Sequence, residues 1–342
     1  MPPRLHFEDF APGSTRIDGG VTVTKDDIVA FARRFDPQPF HIDEEAAKRT
    51  FVGRMIASGW HTCALTMRII ADGFILDTAS MGAPGIEDLK WLQPVHPGDA
   101  LRVRATVLDA RPSQSRPDRG LVRFRFEALN QANEIAMVQT NWIMIGRRDA
   151  SPLPEAEAST RSQPLGQVKA ASPSASSLPH AREGDVISSP FDDLVPGATS
   201  QLGAHRFTAS DIVDFAQRFD PQAFHVDPEA ARHSSFGGLA ASGWHTAAVW
   251  MRLMIAHREH AVQARKPTIE LGPSPGFTDL RWLKPVYADD IIAYSSTLTD
   301  KRSSASRPGW NLAYHRNVGV NQTGDEVFRF QSCVFWRERV GS

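Results

Sequence analysis

From residue 25, "KDDIVAFARRF" sets Ile28, Phe31, Ala32 and Phe35 at the i, i+3, i+4, i+7 spacing of one helix face. Thr24 with Asp27 three residues on is a variant of the capping box that starts such a helix. "ASDIVDFAQRF" repeats the pattern with Ile212, Phe215, Ala216 and Phe219. Both helices are expected to stop ahead of an Asp-Pro step, because proline biases the residue before it away from helical geometry. "SGWHTCALTMRIIADGF" is apolar on nearly every side and predicts a helix buried on most faces. Beyond it the period changes to two. Leu101, Val103, Ala105 and Val107, then Val122, Phe124 and Phe126, alternate with other residues as half-buried strands do. "EIAMVQTNWIMI" and "EVFRFQSCVFWRER" read as closing strands, and "QPVHPGD" as the turn that precedes the first strands. Helices followed by consecutive antiparallel strands, with one buried helix, indicate an α+β domain whose sheet curls around that helix.

The pattern is written twice. "FDPQPFHID" at 35–43 returns as "FDPQAFHVD" at 219–227, and "ASGWHT" at 57–62 returns unchanged at 241–246, a displacement of 184 residues. "WLQPV" at 91–95 answers "WLKPV" at 282–286, a displacement of 191, so the second copy carries a seven-residue insertion within "HREHAVQARKPTIELGPSPG". Two copies make a tandem duplication rather than a repeat array. The boundaries expected are 1–148 and 185–342, with 149–184, rich in Ala, Ser, Pro and Glu, as a flexible linker. A coil of that length spans roughly 30 to 36 Å, enough to let the copies dock on each other.

Length and charge narrow the class. The chain has 342 residues, room for two cores, and 38 basic against 39 acidic residues give a net charge of -1. No long run of one sign is present, which disfavours nucleic acid as a partner. Cys63 and Cys333 have neither paired nor zinc-type spacing, pointing to a reduced intracellular protein. "MPPRLHFEDFAPG" has no leader pattern, and no stretch reaches the roughly 18 apolar residues of a membrane span, so a soluble cytoplasmic protein is expected.

Asp36 and His41 are five residues apart and share neither a helix face nor a strand face. With Pro37 and Pro39 in the segment a loop is expected, in which both side chains converge on one point. A carboxylate and an imidazole converging on a water form an acid/base device. The alternative is a turn made by Asp36 with its own backbone and a packed His41. Comparison of the copies weighs against it: the strands have diverged, yet Asp36 and Asp220, His41 and His225, Asp43 and Asp227 persist. Gly59 and Gly243 open the buried helix, where a free N–H and the helix dipole favour developing negative charge on a carbonyl oxygen. A purely steric need for glycine at the helix entry is the other reading. Trp60, Trp244, His61 and His245 are expected to pack. His41 with Asp43 lacks a third ligand at familiar spacing, so no metal is expected.

Asp-x-x-Pro-x-His-x-Asp, then Phe and Gly, then a glycine opening a long apolar helix, and later "PVHPGD", resembles the MaoC-like family of (R)-specific enoyl-CoA hydratases and dehydratases. The resemblance implies two hotdog domains in tandem, each an antiparallel sheet wrapped around a central helix, paired within the chain as a pseudo-dimer. It implies catalytic Asp36, His41, Asp220 and His225 holding one water, and backbone N–H groups of Gly59 and Gly243 facing the thioester oxygen. The reaction implied is reversible hydration of a trans-2-enoyl-CoA to a 3-hydroxyacyl-CoA, with no cofactor beyond the CoA of the substrate. Partners implied are the acyl-CoA and a possible second copy of the tandem chain. Gln38 and Gln222 stand where the family usually has Asn, and Ser58 and Ser242 where many members have His; these four are read as pocket support. Ala223 replaces the family's proline and is expected to loosen its segment. Both copies hold the full Asp, His and Gly set, so two competent sites are expected. The differences Arg54/Gly238, Cys63/Ala247 and Thr66/Trp250 suggest unequal pockets. The rivals are a hotdog thioesterase, whose carboxylate commonly comes from the central helix, acid-free here before Asp72, and a non-catalytic acyl-CoA-binding module.

Overall fold

A computed structural model describes residues 3–149, 182–305 and 307–338. The expected linker lies outside these residues except at its two ends. In the N-terminal copy, β1 (Thr15–Thr22) is followed by α1 (Lys25–Phe35), the short turns α2 (Pro39–Ile42) and α3 (Glu44–Lys48), and α4 (Gly59–Gly73). Then come β2 (Gly85–Trp91), β3 (Ala100–Pro112), β4 (Arg119–Leu129) and β5 (Ile135–Gly146). The C-terminal copy begins with β6 (Arg182–Glu183) and β7 (Ala198–Arg206). Its helices are α5 (Ala209–Phe219), α6 (Ala223–Val226), α7 (Pro228–Arg232) and α8 (Gly243–Gln263), and its later strands β8 (Gly276–Trp282), β9 (Ile291–Ser303), β10 (Trp310–Val320) and β11 (Glu326–Arg337).

Local chemistry accounts for the boundaries. Thr24 accepts from the Asp27 N–H and the Asp27 side chain reaches back to the Thr24 N–H, so both orphan donors at the start of α1 are satisfied. Its buried face is Ile28, Phe31, Ala32 and Phe35, as the spacing predicts. The segment expected as a loop is a short helical turn instead: Asp36 is the C-cap of α1, and His41 lies in α2. Pro39 at the first turn of α2 explains this, since its fixed φ suits a helix start while its missing N–H costs nothing there. α8 runs for 21 residues against 15 in α4, so part of the insertion extends the central helix.

All the described strands join one sheet, in the order β1-β3-β4-β5-β2-β8-β11-β10-β9-β7-β6. From β1 and from β7 inwards the two copies supply their strands in the same order, with β6 added outside β7, and the antiparallel pair β2/β8 is the seam between them. Gly85 faces Arg281, and Gly276 faces Lys90, across that seam. A Cβ on Gly85 would run into the Leu280 carbonyl, and one on Gly276 into that of Leu89, so the close approach requires glycine at both places. The faces of β3 and β4 that carry Leu101, Val103, Val107, Phe124 and Phe126 pack with Leu65, Ile69 and Ile70 of α4. The second core continues through the seam, taking in Trp60, Ile86 and Leu89 with C-terminal residues such as Phe277 and Phe330. Phe31 meets Phe219, and Phe35 meets Phe215, on the helical side of the same junction. Arg182 and Glu183, within the stretch read as linker, pair in parallel with Ala198 and Thr199.

Candidate active site

Asp36 is 2% exposed and sits against the N-terminus of α4. Its Oδ1 accepts from Gln38 Nε2 at 2.9 Å and its Oδ2 from Ser58 Oγ at 2.6 Å. These donors offset the cost of burying the carboxylate. His41 Nε2 is 3.3 Å from Asp36 Oδ2, and His41 Nδ1 is 2.8 Å from the Ile56 carbonyl. A carbonyl can only accept, so Nδ1 carries a proton and Nε2 is the ring nitrogen turned towards the carboxylate. In the neutral tautomer this sets two acceptors side by side, each able to take one proton of a single water. The second copy reproduces this: Gln222 and Ser242 donate to Asp220 at 2.8 and 2.7 Å, His225 Nε2 is 3.5 Å from Asp220 Oδ2, and His225 Nδ1 is 2.6 Å from the Ala240 carbonyl. The turn holding His225 keeps its shape without the proline, with Gln222 at φ -66, ψ 141 against -74, 142 for Gln38. Ala223 stands where the first copy has Pro39 and supports the same turn geometry, because Ala is itself a good residue for a helical turn.

Ser58 has a second task as the N-cap of α4, accepting from the Trp60 N–H at 3.2 Å. The first intrahelical bond runs from Thr62 N to Ser58 O, so the Gly59 N–H is one of the donors the helix cannot satisfy itself. Gly59 also meets the steric reading. A Cβ there would lie 2.6 Å from the Trp91 ring, whose Nε1 donates to the Gly59 carbonyl at 3.1 Å. Trp282 does the same to Gly243, donating at 3.0 Å. In the sequence these tryptophans recur in "WLQPV" and "WLKPV", and that recurrence is the signal for a role.

Each pair opens into a cavity completed by the other copy. Asp36, Gln38, His41 and Gly59 line one of about 610 Å³, whose far side includes Trp250, Phe277, Phe330 and Trp336. Asp220, Gln222, His225 and Gly243 line one of about 310 Å³, walled by Met67, Ile70, Phe126 and Asn141 among others. The cavities are unequal, and Trp250, opposite Thr66 in the repeat, faces the larger one. Asp36 and Asp220 are the only carboxylates lining these cavities among the described residues. No group of three or more His, Cys, Asp or Glu is placed to hold a metal among the described residues, and no described helix is long and apolar enough to cross a membrane.

A family model described as MaoC like domain matches the chain at residues 10–122 and again at 196–309. The chain belongs to the MaoC-like domain family. Over nearly its whole length it is similar to a solved MaoC domain protein dehydratase from Chloroflexus aurantiacus J-10-fl, with a TM-score of 0.76 at 17% identity and 99% of both chains covered. A Mycobacterium tuberculosis protein described as a double hotdog fold matches with a TM-score of 0.68 at 16% identity, over 97% of this chain and 98% of that one. These two establish the double hotdog fold. Among curated relatives, YdeM of Bacillus subtilis, described as uncharacterized, is 33% identical over 128 residues, 37% of this chain and 89% of that protein. The 3-hydroxybutyryl-CoA dehydratase of Methylorubrum extorquens is 30% identical over 117 residues, 33% of this chain and 69% of that protein.

The remaining sequence candidates pack. His61 stacks on Phe31 at 4.6 Å and His245 on Phe215 at 4.6 Å, and neither lines either of these two cavities. Burial holds the His61 ring down at about 3 and pushes His245 well below the usual imidazole range, so both are neutral packing residues. Trp60 stacks on Phe277 at 5.2 Å, yet it also lines the larger cavity, as Trp244 lines the smaller. Asp43 and Asp227 are helix caps, accepting from backbone N–H groups of α3 and α7.

Proposed function

We propose that the chain hydrates trans-2-enoyl-CoA thioesters reversibly to 3-hydroxyacyl-CoA, at two sites. The observation that carries this reading is the buried Asp/His acceptor pair of each copy, facing a cavity beside the first free N–H of a central helix. A water held between Asp36 and His41 gives one proton to the pair as its oxygen bonds to the β-carbon of the enoyl group. The electron pair of the double bond moves towards the thioester, whose oxygen takes a hydrogen bond from Gly59 N–H, reinforced by the dipole of α4. The proton then passes from the pair to the α-carbon, so the pair ends as it began and water has been added across the bond. Dehydration runs the same steps backwards. Family membership and a relative named 3-hydroxybutyryl-CoA dehydratase support the reading. The Asp/His pair also argues against the thioesterase alternative, since no carboxylate of the central helices lines either cavity among the described residues.

The test follows loss of the enoyl-thioester ultraviolet absorbance in the wild type, Asp36→Asn, Asp220→Asn and the double variant. Each single change is expected to remove one site by a factor of about 10² to 10⁴, and the double change to abolish turnover. Thiol release from saturated acyl-CoA without any enoyl hydration would replace the reading with a thioesterase, and tight binding without either would replace it with a binding module.

A further inference from the structure

Strands β3, β4 and β5 correspond to β9, β10 and β11 at a constant displacement of 191 residues, which pairs each inner position of one copy with one of the other. The N-terminal sheet buries Ala105, Phe124 and Phe126, with the two rings stacked 5.2 Å apart. The C-terminal sheet buries Ser296, His315 and Asn317 at the same places. All three line the Asp36/His41 cavity, whereas only Phe126 of the N-terminal three lines the Asp220/His225 cavity. Replacement of two phenyl rings by smaller polar groups opens the larger cavity inwards and gives it a polar inner wall.

That wall is ordered by its own hydrogen bonds. Ser296 Oγ donates to Asn317 Oδ1 at 2.8 Å, and Asn317 Nδ2 donates to Ser332 Oγ at 2.9 Å. His315 Nε2 lies 3.0 Å from the Val186 carbonyl and so carries its proton, leaving Nδ1 as an acceptor. Burial pushes His315 down to about 4 and keeps it neutral. The indole N–H of Trp250, a buried residue of the same cavity, has no acceptor among the described residues. The Ser332 hydroxyl accepts from Asn317 and retains its own proton to donate. Free donors and a free acceptor together match a hydroxyl, which gives one proton and accepts others. A carboxylate is not matched: the only arginine lining the cavity among the described residues, Arg307, is solvent-exposed, and His315 is uncharged. A hydrocarbon end would cover these groups and leave them unsatisfied.

Building on the hydratase reading above, we propose that the Asp36/His41 site selects an acyl chain with a hydroxyl on its distal part, while the smaller Asp220/His225 site takes a shorter chain. The full-length Asp220→Asn chain isolates the first site. It is assayed with trans-2-enoyl-CoAs of increasing length, each with and without a terminal hydroxyl. At the length that reaches the polar wall, the hydroxylated member is expected to exceed the plain one in kcat/KM by about tenfold or more. Ser332→Ala is expected to shrink that ratio. The triple change Ser296→Ala, His315→Phe and Asn317→Phe, which installs the residues of the N-terminal copy, is expected to remove activity on long chains and spare the shortest. Equal or better turnover of the plain chain at every length would overturn the proposal. If no enoyl-CoA is turned over, the hydratase reading has failed, and calorimetric binding of saturated hydroxyacyl-CoA against acyl-CoA decides this proposal separately: tighter binding of the hydroxylated ligand supports it, and equal binding overturns it.

Discussion

Ser58 joins two structures at a single oxygen, donating to Asp36 Oδ2 while accepting from the N–H of Trp60. Ser58→Ala therefore loses an N-cap, about 1 kcal/mol in denaturant unfolding, and frees one carboxylate oxygen from its anchor. The expected outcome is a fall in kcat through the N-terminal site larger than the change in KM, with the matching change at Ser242 acting on the other site; unchanged kcat for both would deny the serines any part in positioning the aspartates. His61 carries a different prediction. Its folded value of about 3 lies below the unfolded value near 6.5, so beneath pH 6.5 the unfolded chain binds a proton that the native chain refuses. The stability contributed by the neutral ring is complete above that pH and is lost as pH falls towards 3. Urea unfolding of wild type and His61→Leu at pH 7.5 and pH 5 is expected to move the difference between them by about 2 kcal/mol in favour of the variant at the lower pH. Parallel losses in both proteins would mean that His61 is not held neutral.

At the scale of the element, the entry to each central helix is fixed by three residues from two places: the capping serine, the glycine after it, and a tryptophan at the end of β2 or β8. Gly59→Ala drives a methyl group into the Trp91 ring and strains its bond to the Gly59 carbonyl. A loss of about 1 to 3 kcal/mol in unfolding is expected from such overpacking. Weakened enoyl-CoA turnover at the Asp36 site should accompany it, since Trp91 lines that cavity. Full stability and activity in the variant would show that the ring has room to move. The helices themselves were legible in the sequence because periodicity and capping agree over Lys25–Phe35 and Ala209–Phe219. The helical turn of His41 was not legible, because prolines read as loop markers also serve as helix starters, and four residues are too few for a period to register.

At the scale of the molecule, the duplicated Asp and His were legible because two copies with drifted strands expose what is retained, but the walls facing them were not. A period-two pattern says which residues of a strand turn inwards and nothing about which strand lies across a cavity. Here the wall opposite Asp36 comes from the other copy, through Trp250, Phe277 and Phe330. Phe277 also stacks on Trp60, so the seam between β2 and β8 and the wall of the site are one piece of packing. It follows that neither half should work alone. When residues 1–148 and 185–342 are produced as separate chains, each is expected to show little or no enoyl-CoA turnover and reduced stability, since the seam pairing and the shared aromatic core are lost. Co-expression of the halves should restore a one-to-one complex with both activities, because the described residues that line the cavities all lie within the two halves. Size-exclusion chromatography with light scattering reads the complex, and the Asp36→Asn and Asp220→Asn changes, each introduced into its own half, assign the recovered turnover. Full activity of either half by itself would mean that a second identical half can replace the opposite copy. The difference between Phe126 and Asn317 at equivalent positions, one a ring and the other an amide, is the physical reason to expect that it does not.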